Sequence, residues 1–260
     1  MSPHVLTAGT LLAAYTAVLA IPVFAGCEAQ SGPRTAALVE LYTSEGCSSC
    51  PPADRQLSRL RQVLDPAAIV VPLSLHVDYW DYIGWKDPYA QSGFAKRQAW
   101  LAHFKAYGVV YTPHFFVSGT ELRSWPADFR EEVQRLNAQP AEAQIRINAS
   151  LGANDTLTLT ADATTHAAGD RAELYLAVTE NGLVSKVTRG ENGGVTLAHD
   201  HVVRVWIGPI ALDRGEARVQ REITLPVSWN RPQLEVVGFV EDTRSGRVLQ
   251  AVGAQQCFSS

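Results

Sequence analysis

The apolar pattern changes near residue 140, and the two textures predict different architectures. In the first half, Ala36 to Tyr42 is a short apolar run with one acid, which predicts a buried strand. Thr43 to Pro52, rich in Ser, Gly and Pro, reads as a loop. Leu57, Leu60, Val63 and Leu64 recur at helical spacing behind Pro51-Pro52, where a missing N–H costs little. Ile69 to Val77 predicts a second strand, and Phe94, Leu101 and Phe104 mark a helix over Ala90 to Tyr107. Val109 to Val117 predicts a third strand interrupted by Pro113, with Ser118-Gly119 turning into a fourth. Phe129, Val133 and Leu136 give a helix that ends before Pro140, so the order is β-α-β-α-β-β-α.

From Ala141 the helical period disappears. Ile145 to Asn148, Leu157 to Thr160, Leu174 to Val178, Val202 to Ile207, Val219 to Leu225 and Leu234 to Val240 are short strand-like runs. Turn signals such as Asn181-Gly182 and Asn192-Gly193-Gly194 separate them, which predicts an all-β, sandwich-like region. The expected divisions are an α/β region over 36–139 and a β region over 141–256.

At the N-terminus, Leu11 to Phe24 is an apolar run of export-signal length, and Val23-Phe24-Ala25 offers a cleavage site, giving a signal peptide over 1–25. The usual cationic start is missing, since the first Lys or Arg is Arg34. Ala25-Gly26-Cys27 also resembles the end of a lipobox, so membrane attachment is expected only if Cys27 is lipidated.

Composition narrows the function classes. The chain has 260 residues, of which 46% are hydrophobic and 18% charged, values that exclude a disordered tail and a coiled coil. A net charge of -4 argues against nucleic acid as a partner.

The chemistry lies in the four cysteines. Cys27 and Cys257 lie at the two ends of the expected mature chain and are predicted to pair in an oxidising, exported environment, the periplasm. Cys47-Ser48-Ser49-Cys50 sits between a predicted strand and a predicted helix. Unpaired N–H groups at a helix start favour a thiolate, so Cys47 would be the nucleophile and Cys50 the resolving thiol. In the reduced protein, Cys47 is expected at the exposed loop edge and Cys50 shielded in the first turn. Two alternatives stand beside this redox reading: a copper or zinc site built on Cys47, Cys50 and a histidine such as His114, and an interaction module with a structural Cys47–Cys50 bridge. No cofactor is expected. The expected partners are exported thiol-containing proteins or a thiol reductant.

The element order, the C-x-x-C at the first helix and Thr112-Pro113 at the third strand resemble a thioredoxin fold. More specifically, Val39 to Asp54, Tyr79 to Pro88 and Tyr111-Thr112-Pro113 resemble the exported, thioredoxin-like family catalogued as domain of unknown function 1223. The resemblance implies an α/β thioredoxin-like N-terminal domain followed by an all-β domain. It also implies that Pro113 is cis beside the disulfide, and that Glu40 takes the proton of the resolving cysteine. His114, directly after Pro113, would lie beside the cysteines and support the Cys47 thiolate. Weaker candidates are His76, the aromatic loop from Tyr79 to Tyr89, and His199-Asp200-His201, whose alternation would put both histidines on one strand face.

Overall fold

The computed structural model describes residues 26–104, 108–167, 171–255 and 257–258. The expected export segment over 1–25 lies outside them. In chain order the elements are β1 (Gly26–Gln30), β2 (Ala37–Thr43), α1 (Pro51–Ser58), α2 (Leu60–Val63), β3 (Val70–His76), α3 (Ser92–His103), β4 (His114–Val117), β5 (Thr120–Glu121) and α4 (Trp125–Asn137). They continue with β6 (Ala143–Leu151), β7 (Thr156–Thr165), β8 (Ala172–Glu180), β9 (Leu183–Lys186), β10 (Thr196–His199), β11 (Val202–Ala211), β12 (Glu216–Thr224), β13 (Leu234–Asp242) and β14 (Arg247–Ala254).

One eight-stranded mixed sheet, in the order β14-β13-β8-β11-β3-β2-β4-β5, runs through both halves of the chain. A four-stranded antiparallel sheet, β1-β6-β7-β12, packs on its second half, and β9 and β10 form a separate hairpin. The junction is narrow: β11 meets β3 in parallel at Val202 opposite Ser74, where the Ser74 N–H donates to the His201 carbonyl at 2.8 Å. The expected thioredoxin-like α/β domain beside a separate all-β domain is therefore corrected. The described chain is predominantly β, and both textures feed one sheet. The expected strand over Val109 to Val117 shortens to His114–Val117, and the long helix expected from Leu57 to Leu64 breaks at Arg59 into α1 and α2.

Burial explains the patterns. Every residue of β2 is buried, because helices or strands cover both faces of this central strand. Ala37, Val39 and Leu41 pack with Leu57, Phe115, Phe129 and Val133 beneath α1 and α4. Leu38 and Tyr42 belong to the opposite core, where Phe94 and Leu101 of α3 meet Tyr175, Val237 and Phe239 from the second half. Strand β6 instead alternates strictly, sending Ile145 and Ile147 against Leu174, Leu176 and Val236 to form a sandwich core.

The shared core contains a buried ionic triad. Arg97 of α3 donates to Glu40 of β2 at 2.7 and 3.2 Å and to Glu241 of β13 at 3.0 and 2.9 Å. Its guanidinium lies 5.0 Å from the Phe239 ring centre and 5.2 Å from that of Trp206. The Tyr42 hydroxyl donates to Glu40 at 3.1 Å. Burial works against the Arg97 cation, yet the two carboxylates outweigh it and raise its pKa well above the usual value.

Both predicted disulfides form, and Cys27–Cys257 closes the ends across a sequence separation of 230. A bonded Cys27 has no thiol left for a lipid.

Two outcomes follow for stability. Arg97→Met strands two carboxylates in the core and should lower the unfolding free energy by about 3–5 kcal/mol, with Arg97→Lys recovering only part of it. Replacing Cys27 and Cys257 together by Ser should cost on the order of 5 kcal/mol in the chain-entropy model. Urea unfolding followed by tryptophan fluorescence measures both, and changes below about 1 kcal/mol would refute them.

Candidate functional site

The C-x-x-C closes the turn between β2 and α1. The Cys47 N–H donates to the Ser44 carbonyl at 3.1 Å, and the Cys50 N–H to the Cys47 carbonyl at 3.2 Å. Cys50 is the N-cap of α1 and Pro51 and Pro52 begin it, as helix-start preferences dictate. Gly46 is required by contact, since a Cβ there would come within 2.9 Å of the Trp80 Cβ. In this disulfide-bonded form Cys47 and Cys50 are both 0% exposed, while Ser48 and Ser49 between them face solvent.

The cysteine loop is also held from the far half of the chain. In the loop between β9 and β10, Asn192 donates from Nδ2 to the carbonyls of Glu45 (2.8 Å) and Cys47 (3.0 Å). The Ser48 N–H donates to a carboxylate oxygen of Glu191 at 3.0 Å. The loop is internally bonded, from Gly193 N–H to the Gly190 carbonyl at 3.1 Å and from Gly194 N–H to the Val187 carbonyl at 2.8 Å.

Behind the disulfide lies a buried cluster of acids and imidazoles. Asp54 follows Cys50 by one helical turn, with its N–H on the Cys50 carbonyl at 3.1 Å, so both side chains share a helix face. His76 Nδ1 pairs with Asp87 at 2.8 Å, and His199 Nε2 pairs with Glu45 at 3.1 Å. The Trp85 indole N–H donates to Glu45 at 2.8 Å, and the Glu45 N–H donates to Asp87 at 2.8 Å. The His76 and His199 rings meet edge to face with centroids 4.9 Å apart. Burial raises the Asp54 pKa, and the nearby imidazoles of His199 and His76 offset it only in part. Burial also opposes the His76 cation, but Asp87 at close range outweighs it and raises the His76 pKa. Asp54 Oδ1, His76 Nε2, His199 Nδ1 and Thr43 Oγ1 are buried without a hydrogen-bond partner among the described residues.

The other sequence candidates scatter. Glu40 is held by Arg97 and Tyr42, so it offers Cys50 no free carboxylate. Asp54 is the acid on the cysteine side; its position on the face of Ala53 and Leu57 was the available signal. The Thr112–Pro113 bond is cis, and the Trp80 indole N–H donates to the Thr112 hydroxyl at 2.7 Å. His114 does not turn toward the cysteines. Its Nε2 pairs with Glu121 at 3.1 Å, its Nδ1 lies 3.2 Å from the Gln98 amide, and Tyr111 stacks on its ring. Burial lowers its pKa to about 4, with Glu121 opposing, so it is neutral near pH 7 and gives a Cys47 thiolate no charge. His199 and His201 do not share a strand face, because β10 ends at His199 and His201 turns through φ 58° to meet Glu235. Among the described residues, no group of three or more His, Cys, Asp or Glu side chains is arranged to hold a metal ion.

The His114 shift has a definite sign. Between its ordinary value of 6.5 and about 4 the unfolded chain binds a proton there that the folded chain refuses, so stability falls on acidification through that window. His114→Gln should therefore lose less stability than the parent between about pH 7 and about pH 4.5 in urea unfolding. An equal loss in both would refute the assignment.

The two disulfides indicate an oxidising environment, and no described helix is long and apolar enough to cross a membrane. No curated protein matches the sequence. The fold is similar to the crystal structure of a protein from Agrobacterium tumefaciens, at 24% identity over 87% of this chain and 96% of that one, with a TM-score of 0.60. It is also similar to HBP35 of Porphyromonas gingivalis, at 19% identity over 86% of this chain and 76% of that one, with a TM-score of 0.66. A family model matches residues 38–241, from β2 to β13 and across both textures, and the chain belongs to the family described as protein of unknown function DUF1223.

Proposed function

We propose that the protein is an exported thiol–disulfide exchange protein of the periplasm, acting on polypeptide or small thiols through Cys47 and Cys50. One observation carries this reading: the Cys47–Cys50 bond sits at the start of α1 with the buried, incompletely bonded Asp54 carboxyl one turn behind it. Helix N-terminal amides favour a thiolate at this place. A substrate thiolate attacks the Cys47 sulfur, the Cys47–Cys50 bond breaks, and its electron pair leaves on Cys50. In the reverse direction, the Cys47 thiolate attacks a substrate disulfide, and Cys50 then loses its proton and releases the substrate. Asp54 supports that step as proton acceptor, the role that the family resemblance implied for Glu40. Its raised pKa brings the carboxyl closer to the working pH.

The complete burial of both cysteines favours a second reading, an interaction module in which the same bond is structural.

The two readings separate by experiment. Under exchange, Cys50→Ser should accumulate mixed disulfides visible on non-reducing gels, and Cys47→Ser should form none. Asp54→Asn should slow resolution of a preformed mixed disulfide by roughly 10- to 100-fold. If Cys50→Ser captures nothing, and replacing both cysteines by Ala merely costs about 2 kcal/mol of stability, the bond is structural.

A further inference from the structure

The loop between β9 and β10 grips the turn that holds the disulfide and sets a carboxylate beside it. Because Cys47 and Cys50 are 0% exposed, an attacking thiolate must move neighbouring groups before reaching a sulfur. Asn192 grips the cysteine loop from a buried position by two hydrogen bonds to carbonyls. Glu191 is exposed, and its carboxylate takes the N–H of Ser48, the residue directly after Cys47. Arg189 of the same loop forms no ion pair with Glu191 among the described residues, and Glu45 beneath is occupied by His199 and Trp85. A carboxylate of that loop therefore stands at the residue next to Cys47.

We infer that this loop is an acidic gate over the Cys47–Cys50 bond, with Asn192 controlling access and Glu191 selecting neutral or cationic thiols over anionic ones. The inference rests on the exchange reading and names its substrate class: thiols without added negative charge, such as cysteines in neutral or basic polypeptide segments. The chemistry consumes two thiols. The first, as its thiolate, attacks the Cys47 sulfur, and the bonding pair leaves on Cys50, which takes a proton. The second attacks the mixed disulfide, releasing the oxidised thiol pair and leaving Cys47 and Cys50 reduced. An anionic substituent on the attacker adds a charge facing Glu191. At about 6 Å in water one such charge changes the encounter by roughly threefold, and salt diminishes the effect.

The test uses the oxidised full-length chain and three thiols of similar size: cysteamine, 2-mercaptoethanol and 2-mercaptoethanesulfonate. Rates are expressed per thiolate at low ionic strength, with reduction at residues 47 and 50 read by alkylation and peptide mapping. The parent should react fastest with cysteamine and slowest with the sulfonate, with a ratio of about tenfold between them. In Glu191→Gln that ratio should fall to about threefold or less, and in Asn192→Ala all three rates should rise together with the ratio kept. An unchanged ratio in Glu191→Gln, with all three thiols still reducing the bond, overturns the gate and leaves exchange standing. Failure of every thiol to reduce the bond, in the parent and in Asn192→Ala alike, overturns both.

Discussion

Arg97 is the residue on which the arrangement of the two halves depends. Its guanidinium sits between one carboxylate on β2 and another on β13, and four aromatic rings enclose it. A buried charge is tolerated only when paired and hydrogen-bonded, so none of the three members is stable there alone. The sheet junction between β11 and β3 is a single registered pair, too little to fix two large surfaces by itself. The triad adds a specific, directional contact across the same core. Packing of Phe239, Tyr175 and Trp206 around the guanidinium then makes its position costly to change.

That constraint reaches the cysteines. By holding Glu40, Arg97 removes an acid from the surroundings of the disulfide, and the acid on the Cys50 side becomes Asp54. A second set of contacts, His199 with Glu45 and Asn192 with the carbonyls of Glu45 and Cys47, fastens the β9–β10 hairpin onto the same loop. The C-x-x-C thus lies between a helix start supplied locally and a loop anchored to it from 145 residues downstream. The helix start and the loop that grips it come from different halves, and only a correctly joined sheet brings them together.

Which of these features the sequence revealed follows from their range. Strand β2, the helices around Phe94 and Phe129, and most β-rich runs after residue 140 were legible, because periodicity and turn residues are local signals. Both disulfides were legible from cysteine number and position. The shared sheet was not, since nothing in the alternation of Val202 to Ile207 states that the partner at its start is Ser74. The hairpin strands Leu183–Lys186 and Thr196–His199 were also missed, being too short to show a period. Glu40 was given a role from motif position alone. A carboxylate on a central strand must find a cation, and the one it finds lies 57 residues away on α3.

The unpartnered atoms behind the disulfide give this arrangement its chemical character. Native cores usually satisfy their polar groups, yet here Asp54, His76, His199 and Thr43 each leave one unsatisfied atom in a single neighbourhood. Asp87 and Glu45 contact the two imidazoles on one nitrogen each, His76 Nδ1 and His199 Nε2. Asp54, with its pKa raised by burial, has no such fixed cation at hydrogen-bond distance. A structural bridge alone would be better stabilised by apolar packing at these positions, because every unpaired polar atom costs free energy. Keeping acids and imidazoles beside a disulfide makes sense where bond cleavage changes the local charge, since breaking the Cys47–Cys50 bond creates a thiolate that a neighbouring group must accommodate or protonate. Under the proposed exchange, the polar cluster and the β9–β10 loop would answer one physical problem, handling a new negative charge beside a buried bond.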